Sequence, residues 1–236
     1  CPDIKPGWAI RFLSKYAKYI CCSTERSKIY LPKNKTIVTG YPIRKAFYEK
    51  PIINNKRKFN KSEKTLLIMG GSLGSSSINK FVKNNLLKFI EQHKLIHISG
   101  TNDYKEFLKI YHSLNPTMQS RYQLYEFSHH IPELMTQSDL IISRAGASIF
   151  GELTATAIPA LLYPGKFSDQ AENARYLVEN NAAIILHSIK QETLATVLNL
   201  LNDNKMLKKM SMNMNSLNQK NSVENIAGLL MENIDE

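Results

Sequence analysis

The chain has 236 residues, 43% of them hydrophobic, enough to bury one substantial core and part of a second. Its formal net charge is +11, and the excess lies in the first quarter: residues 1–61 carry 15 Lys/Arg against 3 Asp/Glu, the rest 16 against 17. Three cysteines without disulfide or metal-ligand spacing, no apolar run near the ~20 residues of a membrane span, no signal-peptide pattern and no RNA-binding aromatic signature exclude a disulfide scaffold, a zinc module, a transmembrane protein and a nucleic-acid binder.

The chain opens on Cys1 instead of Met, so sequence upstream of it is expected. From Trp8 to Ile20 the apolar Ala9, Phe12, Leu13, Tyr16, Ala17 and Ile20 recur at helical spacing, with Arg11, Lys15 and Lys18 off the stripe. This predicts an amphipathic helix packed on its own domain; a lipid surface is the other partner such a stripe fits. Short strands are predicted around 19–22 and 36–39, the second leading into Gly40-Tyr41-Pro42. Residues 50–63 are polar, basic and without hydrophobic period, which reads as a linker between an N-terminal part, 1–49, and a second domain, 64–236.

Beyond the linker, strands alternate with helices. Strands are predicted at 65–69, 95–99, 122–125, 140–143, 159–163 and 183–186, and the clearest helix at 76–90. That alternation implies an α/β fold, a doubly wound parallel sheet with helices on both faces, in which ligands sit beyond the carboxyl ends of the strands.

Three turns carry chemistry. The first, Gly70-Gly71-Ser72-Leu73-Gly74, joins an apolar strand to a helix. Glycines let the backbone approach an anion closely, and free N–H groups at a helix start attract it. The same residues match G-x-S-x-G, which would make Ser72 a hydrolase nucleophile with Asp169 and His187 as partners; residues 1–64 show no oxyanion segment to complete that site. The second, Ser143-Arg144-Ala145-Gly146, precedes a helix carrying Glu152, a carboxylate able to accept from the vicinal hydroxyls of a ribose, or to face the helix dipole. In the third, Asp169, Gln170 and Asn173 combine acceptors and amide donors at i, i+1 and i+4, the groups that sugar hydroxyls need.

In order, these turns resemble the MurG family of peptidoglycan glycosyltransferases, which convert lipid I to lipid II with UDP-N-acetylglucosamine. GGSLGSSSIN is similar to the family's GGSQGA-x-x-x-N, SRAGASIFGEL to SGA-x-T-x-x-E, and SDQAENA to D-x-Q-x-x-N-A. Pro6-Gly7 with the basic helix, and Gly40-Tyr41-Pro42-Ile43-Arg44, look like the end of its N-terminal domain, where G-N-P-[VI]-R is usual. The resemblance implies the Rossmann-like C-terminal half of a GT-B enzyme plus a remnant of the acceptor domain. It assigns Gly71, Ser72 and Gly74 to the donor diphosphate, Gly146 to donor binding, and Arg44 to the leaving UDP. Phe127 and Ser128 fall beside the uracil ring, Glu152 on the ribose, and Asp169, Gln170 and Asn173 on the N-acetylglucosamine. It implies inversion by direct displacement, no cofactor and no protein-held metal. The implied partners are a UDP-sugar, a polyprenyl-diphosphate glycolipid and an anionic membrane surface, at the cytoplasmic face of the cell membrane. A donor-binding subunit working with a separately encoded acceptor-domain chain is the alternative within that chemistry. Leu73 and Tyr41 depart from the family's Gln and Asn, and its N-terminal Gly-rich loops and acceptor-side His are not in this chain.

Overall fold

A computed structural model describes residues 1–49, 59–71, 73–165 and 170–232. In chain order its elements are α1 (Trp8–Leu13), β1 (Ile20–Cys22), a 3-10 turn (Glu25–Tyr30), β2 (Thr36–Val38), α2 (Ala46–Glu49), β3 (Thr65–Met69) and α3 (Ser76–Ile90). Next come β4 (Lys94–Ile98), α4 (Tyr104–Ser113), α5 (Pro116–Gln119), β5 (Tyr122–Tyr125), α6 (Ile131–Gln137), β6 (Leu140–Ser143) and α7 (Ala147–Thr156). The chain closes with β7 (Ala160–Leu162), α8 (Gln170–Glu179), β8 (Ala183–Ile185), α9 (Gln191–Asn202), α10 (Asn204–Ser216) and α11 (Ser222–Met231).

Six strands form one parallel sheet in the order β5-β4-β3-β6-β7-β8. β1 and β2 form a separate parallel pair. The apolar runs become strands because both sheet faces are covered: Leu66 and Ile68 point into a core with Phe81, Phe89, Val197 and Leu201, while Leu67 points into one with Met135, Leu153, Leu177 and Met214. A fully buried Leu or Phe contributes about 1.5–3 kcal/mol, so the two layers hold the sheet between α3, α4 and α9 on one side and α6, α7 and α8 on the other. The reversal of strand order falls between β3 and β6, where Met69 stands opposite Ser143. In a sheet of this order, that crevice is where ligands bind.

Three expectations change. The N-terminal helix ends at Leu13, where the Ser14 hydroxyl donates to the Arg11 carbonyl at 2.7 Å, and Ile20 belongs to β1. Only part of it packs on the domain: Ile10 lies against the small core of Ile20, Cys22 and Leu31, while Trp8 is 80% exposed and Leu13 61%, with Trp8 and Phe12 stacked at 5.7 Å. Of the expected linker, residues 50–58 lie outside the described residues, whereas Phe59 is buried in the sheet core and Lys61 pairs with Asp139 at 2.7 Å. That stretch is therefore anchored to the sheet at least from Phe59 onward.

Candidate functional site

The crevice is built from two turns that leave adjacent strands at the same level. After β3, Gly74 N–H donates to the Gly71 carbonyl at 3.0 Å, with φ +98° at Gly71 and +84° at Gly74. A Cβ on Gly74 would lie 2.2 Å from the Ser99 carbonyl oxygen, so only glycine fits. The turn feeds α3, whose N-cap Ser75 makes no side-chain cap and whose first turn holds no acidic residue. After β6, Gly146 is the N-cap of α7, again without a side-chain cap or an acidic residue in the first turn. Two helix starts thus present unsatisfied N–H groups and positive dipole ends to one crevice.

Gly146 has an ordinary φ of −66°, and a Cβ there would meet nothing within 4 Å. Neither backbone conformation nor packing within the described residues requires a glycine. The space over it is what a ligand approaching the backbone closely would occupy.

Glu152 lies in the second turn of α7, past the reach of the helix start, so the dipole role considered for it does not apply. Burial raises its carboxyl to about 7, against the lowering influence of Arg44 nearby. Among the described residues no hydrogen bond or ion pair satisfies it. Arg44 is exposed, its guanidinium 5.4 Å from the Phe47 ring and donating to the His129 carbonyl at 3.2 Å. This bond ties the 126–130 loop to the cation whose charge acts on Glu152. In that loop Phe127 is 53% exposed and sits edge-on to His129, while Ser128 is buried with its hydroxyl accepting from His130 N–H at 3.0 Å. Access for Arg44 depends on Gly151, whose missing side chain lets Tyr41 and Ile43 pack on α7; a Cβ there would lie 2.8 Å from Ile43 Cγ2 and 2.9 Å from Tyr41 Cδ1.

The third turn is described in part, since Ser72 of the first turn and Asp169 of the third lie outside the described residues. Gln170 opens α8, and its side-chain oxygen accepts from Gly165 N–H at 3.0 Å and from Arg144 Nε at 3.3 Å. Its oxygen is thus committed on two sides, and its amide nitrogen has no partner among the described residues. Asn173 is different. It is 1% exposed, its amide donates to Asp3 Oδ1 at 2.8 Å and to the Ala145 carbonyl at 3.1 Å, and its oxygen accepts from Ile4 N–H at 2.9 Å. With both amide protons committed, Asn173 clasps residues 3–4 to α8 and has no donor left for a sugar.

The sequence reading left Arg144 and Asp3 without a role. Arg144 had a signal, a cation inside a glycine turn; Asp3 had none, because its partner lies 170 positions away. Of the Ser72 hydrolase arrangement, only His187 lies within the described residues. His187 follows the edge strand β8, three strand spacings from β3, roughly 14 Å at about 4.8 Å per spacing. Among the described residues no cluster of three or more His, Cys, Asp or Glu could hold a metal, and no helix is long and apolar enough to cross a membrane.

Residues 65–229 match the glycosyltransferase family 28 C-terminal domain. A UDP-N-acetylglucosamine--N-acetylmuramyl-(pentapeptide) pyrophosphoryl-undecaprenol N-acetylglucosamine transferase of Roseiflexus sp. (strain RS-1) is 33% identical over 219 residues, covering 78% of this chain and 50% of the relative. The transferase of the same name from Clostridium botulinum (strain Alaska E43 / Type E3) is 32% identical, covering 99% of this chain and 65% of its own length. The chain thus spans half to two-thirds of the length of these relatives. Among solved structures, Acinetobacter baumannii MurG shares the fold with a TM-score of 0.75 at 22% identity, over 98% of this chain and 66% of that one. The chain belongs to glycosyltransferase family 28, and its six-stranded unit is that family's C-terminal domain.

Proposed function

We propose that this chain is the nucleotide-sugar-binding part of an inverting transferase that delivers N-acetylglucosamine from UDP-N-acetylglucosamine to a polyprenyl-diphosphate-linked acceptor, the lipid I to lipid II step of peptidoglycan synthesis. The observation that carries this reading is the pair of uncapped helix starts facing one crevice, with open backbone at Gly146. That arrangement suits a diphosphate, which needs several N–H donors and no covalent help. Residues 1–49 are the end of the acceptor domain in this reading, and 64–236 the donor domain.

The acceptor hydroxyl oxygen forms a bond to the anomeric carbon as the bond from that carbon to the diphosphate breaks. The electron pair leaves with UDP, and the acceptor's proton passes to a base on the acceptor side. N–H groups at Gly71 and Ser72, at the uncapped start of α3 and at the α7 start after Gly146 receive the developing charge, with Arg44 as the added cation; the Gly74 N–H, expected to join them, is given to the Gly71 carbonyl instead, and Gly74 serves by letting the turn close. Glu152 as a carboxylate accepts from the ribose hydroxyls. The backbone at Phe127 and Ser128 reads the uracil edge, and Asp169 and Gln170 orient the sugar, Gln170 through the amide nitrogen that Arg144 and Gly165 leave outward. Asn173 holds the residue 3–4 segment in place beside them.

Calorimetry with UDP-N-acetylglucosamine, UDP-glucose and UDP, without added metal, tests the donor site. Saturable binding that prefers the acetylated sugar and weakens at least tenfold in Glu152→Ala and Arg44→Ala is expected; equal affinity in parent and variants would refute these assignments. The uncovered aromatic face of α1, flanked by Arg11, Lys15 and Lys18, supports peripheral contact with an anionic membrane at the cytoplasmic face. Reversing those three charges should release the chain from acidic vesicles, and undiminished co-sedimentation would refute the contact.

A further inference from the structure

Beneath the first turn lies a buried chain of polar side chains that donor binding, as described above, leaves unused. Tyr122 in β5, His97 in β4 and Asn79 in α3 are all buried. His97 Nδ1 is 3.0 Å from the Tyr122 hydroxyl, and Nε2 is 3.1 Å from Asn79 Oδ1. The Asn79 amide nitrogen reaches the Ser99 carbonyl at 2.8 Å and Asp103 Oδ2 at 2.5 Å.

Those contacts fix every proton. An amide nitrogen bonded to a carbonyl and a carboxylate must donate twice, so Asn79 turns its oxygen to His97 and can only accept there. His97 then carries its proton on Nε2, and its bare Nδ1 accepts from the Tyr122 hydroxyl. Only a neutral imidazole completes this pattern, and burial does hold the ring neutral, lowering its pKa to about 3. Phe107, edge-on at 4.5 Å, closes the ring off from water.

The far end of this chain meets the turn. The Ser99 carbonyl that Asn79 grips is the atom against which Gly74 packs, and a Cβ on Gly74 would lie 3.2 Å from the Asn79 amide nitrogen itself. Gly100, next in sequence, is packed as tightly: a Cβ there would lie 2.1 Å from Gly74 N. The 99–103 loop is thus the floor of the turn, and Asn79 sets its height.

We propose that Asn79 is a positioning residue for the diphosphate turn: anchored through His97 to Tyr122, it holds the Ser99 carbonyl and the Asp103 carboxylate so that Gly74, and the uncapped start of α3 that follows it, keep their place under the diphosphate. This rests on the reading of that turn as the diphosphate site. A buried asparagine that served stability alone would affect all ligands alike. A positioning residue affects the diphosphate and spares the nucleoside, which lies on the 126–130 loop and Glu152.

The test is NMR titration of parent, Asn79→Ala and Tyr122→Phe with uridine and with UDP. In the parent, UDP should bind at least tenfold tighter than uridine; if the two bind equally, the diphosphate reading fails and this inference with it. Given that increment, Asn79→Ala should remove most of it, at least a fivefold loss for UDP with uridine affinity kept within twofold. Tyr122→Phe, which keeps the ring packing and deletes the far anchor, should cut the UDP-to-uridine ratio two- to threefold, and it decides the matter if Asn79→Ala does not fold. An unchanged ratio in the folded variants, or equal weakening of both ligands, would overturn the proposal.

Discussion

The two turns that face each other across Met69 and Ser143 both contain glycine, and for opposite reasons. Gly74 is required by the protein itself, since its φ of +84° and the Ser99 carbonyl leave no room for a side chain. Gly146 is required by nothing among the described residues, with φ −66° and open space where a Cβ would be. The contrast separates a glycine that its own fold demands from one whose surroundings would accept a side chain, and in the proposed function the open space over Gly146 is taken by the donor.

That comparison can be broken at its strongest point with Gly74→Ala. Positive φ and a backbone clash together should cost about 2–4 kcal/mol, a drop of roughly 5–10 °C in melting temperature. A variant melting with the parent would show that the turn yields, and the distinction would collapse.

The second effect concerns Glu152 on the helix that Gly146 opens. Its carboxyl, raised to about 7 in the folded chain, keeps a proton that the unfolded chain gives up near the ordinary carboxylate value. Stability from this group is therefore complete at low pH, is lost as pH rises through that window, and stays lost above about 7. Glu152→Gln should be more stable than the parent at pH 8, on the order of 2–3 kcal/mol, with the gap closing toward pH 4. Urea unfolding at the two pH values measures it, and a gap independent of pH would refute the raised carboxyl. The same titration predicts that UDP binding strengthens from pH 6 to pH 8, as the carboxylate form becomes available to the ribose hydroxyls.

The smallest change in stability is expected for Gly146→Ala, less than about 1 kcal/mol for an N-cap exchange. UDP-sugar affinity should nevertheless fall tenfold or more in the same variant. Unchanged affinity would mean that the space over Gly146 is left empty by the donor.

The sheet was legible because its central strands are buried on both faces and read as apolar runs: 65–69 and 140–143 fall where they were predicted, as does the half-exposed edge strand 122–125, and the others differ by a residue or so at their ends. The order of the glycine turns along the chain was legible for the same local reason. Spacing gave out wherever the partner is distant. Helical periodicity at Trp8 to Ile20 located an apolar stripe but not what covers it, and it ran on through Ser14 into a strand. The i, i+4 relation of Asp169 and Asn173 put two polar groups on adjoining turns, yet the Asn173 partners are Asp3 and Ile4 at the other end of the chain. His97 carried no local mark at all, since its meaning depends on residues 18 and 25 positions away.

The strand order has one more consequence, for how the domain assembles. β3 gains its first neighbour, β4, after a single helix, whereas its other side stays open until residues 140–143 arrive. During synthesis the β3-β4-β5 half can form while the edge of β3, rich in leucine and isoleucine, still waits for a strand from farther along the chain. Closing a loop of that length is slow in parallel sheets. The ion pair and hydrogen bond that tie Asp139 to Lys61 and Thr65 sit at the very end of that seam, where they can fix the register of β6 as it docks.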